Sequence, residues 1–597
     1  MTSRELRKKF LDFFAQRGHV IVPSSSLLPE DPSVLFTTAG MQQFKPYYLG
    51  EKSPYGKNVC SCQKCFRTSD VEEVGDDKHL TFLEMLGNFS FGGYFKEEAI
   101  KLAFEFLIED CKLPIDKLKF TYFKGDAQVP EDLESKKIWL KLGIPEEKII
   151  GLGREDNFWG PTGLEGPCGP TTEIHFNGIE IWNLVFNEYY QDREGKLTPL
   201  AQKGVDTGMG LERLTMAVQN KNSVFETDLF LPIIFEIKKM AGQKEISSFE
   251  RLYAPSIALE KEFEKMKYQR PLRIIADHIR ASVFLATEGI LPSNVERGYV
   301  LRRILRRAIR YGKLLNLPKN FLIPLAQKVI EIYQNVYPEV KSKETDILTI
   351  FQNEEERFSK TLEKGLKHFR LQIENCKLKN QKIIPGKVAF DLYQSYGFPL
   401  ELTKEMAGEE EFIVDEEGFK REFEKHQEIS RAGAEKKFGG VGKEASYEAA
   451  KLHTATHLLQ AALRQILGSH VKQMGSDITP QRLRFDFSHP KKMSAEEIKK
   501  VEDLVNQKIK DDLEVKKEEM SLKEALRSGA LAFFKEKYPE KVTVYSIGDP
   551  SDPSGRVFSK EICAGPHVKR TGELGHFKIV KEESLGSGLR RIRAVLE

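Results

Sequence analysis

His453 and His457, four residues apart in KLHTATHLLQAALRQIL, have counterparts more than a hundred residues downstream in Cys563 and His567 of EICAGPHVKR. If the four share one ion, any fold of this chain must bring two distant segments together, and no other feature constrains it as tightly. Leu452, Leu458, Leu459, Ala462, Leu463 and Ile466 recur at helical spacing, so the two imidazoles lie one turn apart on one face, about 5–6 Å between Cβ atoms. Thiolate and imidazole together suit Zn²⁺, and the C-x-x-x-H pair completes a four-point tetrahedral set, structural if closed to water. A lone H-x-x-x-H is more often a pair of core or solvated helix histidines; the second half tips the reading toward metal. Position 454 is Thr rather than the general-base Glu of H-E-x-x-H, which argues against a metalloprotease.

At 597 residues the chain is too long for one core and should divide into about three or four domains. Its 40% hydrophobic and 30% charged residues describe an ordinary soluble globular protein. MTSRELRKKFLDFF reads as an amphipathic helix rather than a leader, and no apolar run approaches the ~18 residues that span a bilayer, so a cytoplasmic protein is expected. Seven cysteines without a leader imply reduced thiols. Cys60, Cys62 and Cys65 form C-x-C-x-x-C, but no second C-x-x-C accompanies them and a metal there is the weaker reading. Cys111, Cys168 and Cys376 read as buried or incidental.

Net charge is only +3, yet the charge is segregated. Between Arg297 and Lys313 lie seven basic residues and no acid. Leu301, Ile304, Leu305, Ala308 and Ile309 form an apolar stripe, leaving Arg302, Arg303, Arg306, Arg307 and Arg310 on the other faces of one helix. A solvated helix face would normally mix in acids, so a phosphate-contacting surface for nucleic acid is the expectation.

The first ~235 residues mix short β-rich runs with Gly and Pro, as in HLTFLEMLGNFSFGGYF and IEIWNLVFNEYY, which predicts an α+β domain around an antiparallel sheet. From about Leu272 to Glu428 the pattern is helical and charged. A glycine-bearing joint, KKFGGVGKEASYE, precedes the histidine helix, and the last segment alternates helix with short strands such as RLRFDFSH.

FLDFFAQRGHVIVPSSSLLP, LFTTAGMQQFKPYYLG, CQKCFRTSD, HLTFLEMLGNFSFGGYF, DNFW, GPCGPTTEI, IEIWNLVF and VDTGMGLERL together resemble, in order, the bacterial alanyl-tRNA synthetases, a class II family. The resemblance implies an α+β multidomain fold: a class II catalytic domain at 1–240, a helical acceptor-stem domain at 241–440 and an α+β editing domain at 441–597. It implies ligation of L-alanine to alanine tRNA through alanyl-adenylate, with ATP and Mg²⁺. By motif match Arg67 contacts the α-phosphate and Arg213 the adenine and γ-phosphate, as forked guanidinium groups can. Asp70, His79, Phe82, Leu83, Gly208 and Gly210 complete the nucleotide site. Leu83 stands where the family has a second Phe. Asp206 takes the amino group of alanine, with Trp159, Asn183 and Val185 lining the pocket.

The same match nominates Asn294 and Glu401 as readers of the acceptor-stem wobble pair, Glu401 replacing the family's Asp, while a helix N-terminal acid explains Glu401 equally well. The zinc half resembles the family's editing domain, which removes serine or glycine from mischarged alanine tRNA. It assigns Zn²⁺ to His453, His457, Cys563 and His567, pocket roles to Thr454, Thr456 and Gln473, and tRNA-end contacts to Arg590 and Arg591. CAGPH replaces the usual C-G-G-T-H and leans toward the threonyl-tRNA editing module. The short joint at 439–447 stands where the family has a β-barrel, and no C-terminal domain follows Glu597, so a monomer dependent on the acceptor stem is expected. A zinc-dependent deacylase with an inactive front domain and a non-catalytic RNA-binding protein are the rival readings.

Overall fold

In the computed structural model, which describes residues 1–31, 33–242, 259–438, 446–489, 491–532, 539–548, 557–586 and 589–597, the β-rich runs of the first half assemble into one nine-stranded sheet. Its strands are β1 (Val20–Ile21), β2 (Asn58–Phe66), β3 (Phe82–Phe91), β4 (Leu118–Phe123), β5 (Ile149–Leu152), β6 (Phe158–Trp159), β7 (Gly166–Phe176), β8 (Ile179–Gln191) and β9 (Leu197–Gly210). They run in the order β1-β2-β3-β9-β8-β7-β4-β5, with β6 on β7. The middle pairs are antiparallel as expected, whereas β1–β2 and β4–β5 at the edges are parallel.

Successive side chains of a strand point to opposite faces. Cys60, Cys62, Leu86, Trp182, Leu184, Phe186, Val205 and Met209 share the core beneath helix α1 (Ser3–Ala15), whose Leu6, Phe10, Phe13 and Phe14 pack into it. The alternate set, including Leu83, Met85, Asn183, Val185, Asp206, Gly208 and Gly210, faces a cavity. This alternation also splits the C-x-C-x-x-C motif: Cys60 and Cys62 enter the core under α1, while Cys65 enters a smaller core with Val59, Met85 and Phe89. Burial pushes the Cys60 and Cys65 thiols up to about 12. Among the described residues no metal-holding group includes these cysteines.

Helix α2 (Leu211–Val218) follows β9 directly, and the helical stretch supplies α3 (Leu259–Thr287), α4 (Glu296–Leu314), α5 (Glu344–Leu378) and α6 (Leu400–Glu409). These elements belong to one compact unit, Met1–Asp415, and a second unit spans Glu416–Glu597. Packing draws its boundary at 415/416, whereas the sequence reading divided the chain at 240/241 and 440/441. The expected joint at 439–445 lies outside the described residues. Among the described residues no helix is long and apolar enough to cross a membrane.

The arginines of α4 correct the sequence reading. Arg302, Arg306, Arg307 and Arg310 are only 8, 7, 5 and 8% exposed, so they do not form a free phosphate-contacting face. Arg306 donates to Glu354 of α5 at 2.6 Å, Arg307 forks onto Glu405 of α6 at 2.7 and 3.0 Å, and Arg310 pairs with Glu409. Arg303 meets Glu72 and lies 3.9 Å from Glu401, and Arg302 donates to Pro292 O and Asn294 Oδ1. The neutralising acids lie far away in the chain, most of them on other helices, so no local window of α4 could reveal them.

In the second unit, helix α7 (Tyr447–Leu467), N-capped by Ser446, packs Leu452, Leu458, Leu459 and Leu463 with Phe485, Phe487 and Ile592. A four-stranded sheet orders Gln473–Thr479, Arg482–Ser488, Leu589–Leu596 and Phe577–Gly586; a three-stranded one joins Glu514–Ser521, Lys541–Gly548 and Val557–Ile562.

Candidate active site and metal centre

The open face of the sheet holds a cavity of about 260 Å³. Arg67, just past β2, and Arg213, near the start of α2, both line it, together with Asp70, Leu83, Trp159, Asn183, Val185, Asp206, Gly208 and Gly210. Ten residues nominated from the sequence are thus brought together by four strands, the loop after β2 and helix α2. Gly208 lies close against Met85: a Cβ there would meet Met85 Sδ at 3.0 Å, and the thioether would have to give way. Gly210 has ordinary room.

Two nominees are elsewhere. Phe82 points to the opposite face of β3 from Leu83 and stacks on Phe284 of α3, ring centroids 3.9 Å apart and 9° from parallel, so it is a core residue. His79 is not part of the cavity wall; its Nδ1 lies 2.6 Å from Asp76 Oδ2 in a local turn.

Asp206 is 5% exposed, and burial without a compensating partner among the described residues pushes its carboxyl from 3.8 up to about 7. Arg213 Nη1 donates to the carbonyl and the carboxylate of Glu180, each at 2.9 Å. Arg67 Nε donates to Thr38 O at 3.3 Å. Glu155, Asp156, Glu173, Glu180 and Glu212 also line the cavity, and the sequence reading missed them. Glu173 is buried, which raises its carboxyl; it accepts from Asn183 Nδ2 at 2.8 Å and lies 3.0 Å from His175 Nε2. A signal was available: Asn177-Gly178, with φ of 49° and 83°, makes a two-residue hairpin between β7 and β8, which brings Glu173 and Glu180 to one cavity. Mg²⁺ is commonly held by one or two carboxylates plus substrate phosphates, and this acid-lined wall beside two guanidinium groups fits it.

Of the wobble-pair nominees, Asn294 is exposed and accepts from Arg302, while Glu401 accepts from the Tyr299 hydroxyl at 2.7 Å.

In the second unit the ligand atoms of His453, His457, Cys563 and His567 lie within 4.8 Å of one another. Cys563 Sγ is 3.4 Å from His453 Nε2, close to the edge of a tetrahedron about a zinc ion, roughly 3.3–3.8 Å. His457 Nε2 and His567 Nε2 are buried with no protein partner, and a Cβ on Gly565 would strike the His453 ring at 2.2 Å. Burial opposes ionisation of Cys563, but the three imidazoles around its sulfur, His453 foremost at 3.4 Å, prevail and hold it down to about 2. The donor set therefore fits zinc. Glu561, missed from the sequence although two residues from Cys563, is buried and lies 2.7 Å from His457 Nδ1, which frees Nε2 for an ion.

The remaining editing nominees are already engaged. Thr454 donates to Ala450 O at 3.0 Å, accepts from Val568 N at 3.1 Å and lies 3.4 Å from His567 Nδ1; Thr456 donates to Leu452 O at 2.9 Å. Both residues are buried, and each hydroxyl bonds a carbonyl one turn back on its own helix. Gln473 Nε2 donates to Ser476, Arg590 pairs with Glu582, and Arg591 forks onto Asp486 at 2.6 and 2.9 Å.

Comparison with known proteins agrees with this geometry. Residues 5–474 match the family model described as class II tRNA synthetases (A), and 542–593 match the second additional domain of threonyl and alanyl tRNA synthetases. The alanine–tRNA ligase of Borrelia hermsii is 48% identical, with 99% of each chain covered. That of Treponema denticola is 48% identical over 100% of this chain and 99% of the relative. A longer alanine–tRNA ligase from Dehalococcoides mccartyi is 38% identical, covering 100% of this chain and 80% of its own. The chain belongs to the alanyl-tRNA synthetases of class II and is an aminoacylating ligase.

Proposed function

We propose that alanine and ATP react in the cavity bounded by Arg67, Asp206 and Arg213, giving alanyl-adenylate that is then transferred to alanine tRNA. The observation that carries this reading is a buried acid without a partner of its own, Asp206, in a cavity walled by two guanidinium groups. Asp206 takes the ammonium group, and Val185 and Trp159 limit the side chain to a small one. Arg67 and Arg213 fork onto phosphate oxygens and stabilise charge as the carboxylate attacks the α-phosphorus and pyrophosphate leaves. In this reading Glu173 and Glu180 would hold Mg²⁺, which when bound neutralises the phosphates.

A pocket sized for alanine rejects glycine and serine only about 10- to 200-fold, so a second, hydrolytic step is called for. The second unit supplies it in this reading, hydrolysing Ser-tRNA(Ala) and Gly-tRNA(Ala), with zinc held by His453, His457, Cys563 and His567 as Lewis acid or structural ion. The test is alanine-dependent ATP–pyrophosphate exchange, expected in the intact chain and lost in Arg67→Ala. Absence of exchange in the intact chain with retained Ser-tRNA(Ala) deacylation would favour the deacylase alternative instead.

A further inference from the structure

Residues 67–81 link β2 to β3 and place Arg67 and Asp70 on the cavity wall. This stretch contains turns but no helix or strand, so its shape must be set by what it touches. Arg67 N donates to Thr81 O at 2.9 Å and closes it. At that closure the Thr81 backbone and hydroxyl both donate to Asp277 of α3, at 2.9 and 2.5 Å. Beside Asp70, Val71 O accepts from Arg307 of α4. Between these points Arg273 donates to Gly75 O at 3.3 Å and to Asp77 at 2.7 Å.

The two anchors are one chain of hydrogen bonds. Asp277 Oδ2 lies 2.9 Å from His278 Nδ1, and His278 Nε2 lies 3.0 Å from Arg307 Nη1. A neutral imidazole with its proton on Nδ1 satisfies both neighbours, and Asp277 and His278 are fully buried. Arg307 continues to Glu405 of α6, which also accepts from Tyr311 at 2.7 Å and Arg270 at 3.1 Å. Glu401 sits one turn earlier on the same helix.

We propose that Arg307 and Asp277 are positioning residues for ATP: through Val71 and Thr81 they hold residues 67–81 so that Arg67 and Asp70 face the nucleotide, and Glu405 ties this clamp to α6. The inference rests on the reading that Arg67 and Asp70 contact ATP. It reassigns a basic-helix arginine from nucleic acid to the activation step, which proceeds without tRNA.

The experiment is alanine-dependent ATP–pyrophosphate exchange on the full chain without tRNA, comparing Arg307→Gln, Arg307→Lys and Thr81→Val, with melting temperature recorded for each. Displacing an aligned group by about 1 Å can cost on the order of a hundredfold, so KM for ATP should rise about ten- to a hundredfold in Arg307→Gln. Lysine cannot fork across Val71, His278 and Glu405, so Arg307→Lys should rescue only partly. KM for alanine should stay within about twofold, because the Asp206 pocket is untouched. Thr81→Val and Arg307→Lys, the milder changes, carry the test if Arg307→Gln does not fold. Unaltered KM for ATP with impaired tRNA charging would overturn the proposal and return Arg307 to tRNA contact. Equal changes in both KM values that follow melting temperature would overturn it as merely structural. Arg67→Ala run alongside separates the two failures: normal exchange there sinks the underlying reading, whatever Arg307 does.

Discussion

Asp206 should cost stability in order to bind alanine, and the two effects should separate with pH. Burial raises its carboxyl from 3.8 to about 7. Below 3.8 it is neutral in both folded and unfolded chains and contributes nothing. Between 3.8 and 7 the unfolded chain is ionised while the folded one holds its proton, so the penalty grows with pH and is complete above 7. Integrated over that span it reaches about 4 kcal/mol at pH 8 and about 2 kcal/mol at pH 5. Asp206→Asn should therefore raise the melting temperature, more at pH 8 than at pH 5. Substrate affinity should show the opposite sign, because only the ionised carboxylate attracts an ammonium group. KM for alanine in the native chain should rise about tenfold between pH 8 and pH 6. In Asp206→Asn it should be flat with pH and higher by about two to three orders of magnitude, the cost of a buried charge without its partner. Thermal denaturation across pH and pyrophosphate exchange at varied alanine measure the two arms. A melting shift identical at pH 5 and pH 8, with KM for alanine constant from pH 6 to 8, would refute the reasoning.

Glu561→Gln should weaken zinc about ten- to a hundredfold in a chelator competition, because His457 loses the partner that orients its ring, while alanine-dependent exchange is unchanged. Phe82→Leu should cost about 1–3 kcal/mol of stability through its lost stacking on Phe284 and leave KM for ATP alone; a raised KM would return Phe82 to the nucleotide site. Arg306→Gln should destabilise by about 3 kcal/mol by leaving Glu354 under-neutralised, without changing the salt dependence of tRNA binding. A salt slope smaller by about one would instead mark Arg306 as a phosphate contact.

The ten cavity residues were legible because each lies in a motif whose neighbours leave it little freedom, and strand alternation then sorts them. That same alternation separates Leu83 from Phe82, a distinction the motif alone does not make. Glu173 and Glu180 went unnoticed although the Asn177-Gly178 turn between them announces a hairpin that brings both to one cavity. At Thr454 and Thr456 the sequence did not announce the local bonding: a helix interior offers each hydroxyl a carbonyl one turn back, and both take it. The basic helix misled for a simpler reason. Glu354, Glu405 and Glu409 lie tens of residues beyond Arg306, Arg307 and Arg310, so charge that looks unbalanced along the chain is balanced in space.

What the amino-acid order determined by itself was periodicity and ligand chemistry: a helix that presents two imidazoles on one face, strands that divide core from cavity, and motifs that identify the family. Which charges are neutralised, which acids wall the cavity and which arginines touch the loop beside it were decided only by tertiary structure. Helical and strand periods are local properties of the backbone, readable from neighbouring residues, whereas ion pairs and hydrogen bonds act over about 3 Å. Their partners here are commonly dozens to hundreds of residues apart in the chain, and only packing brings them within reach.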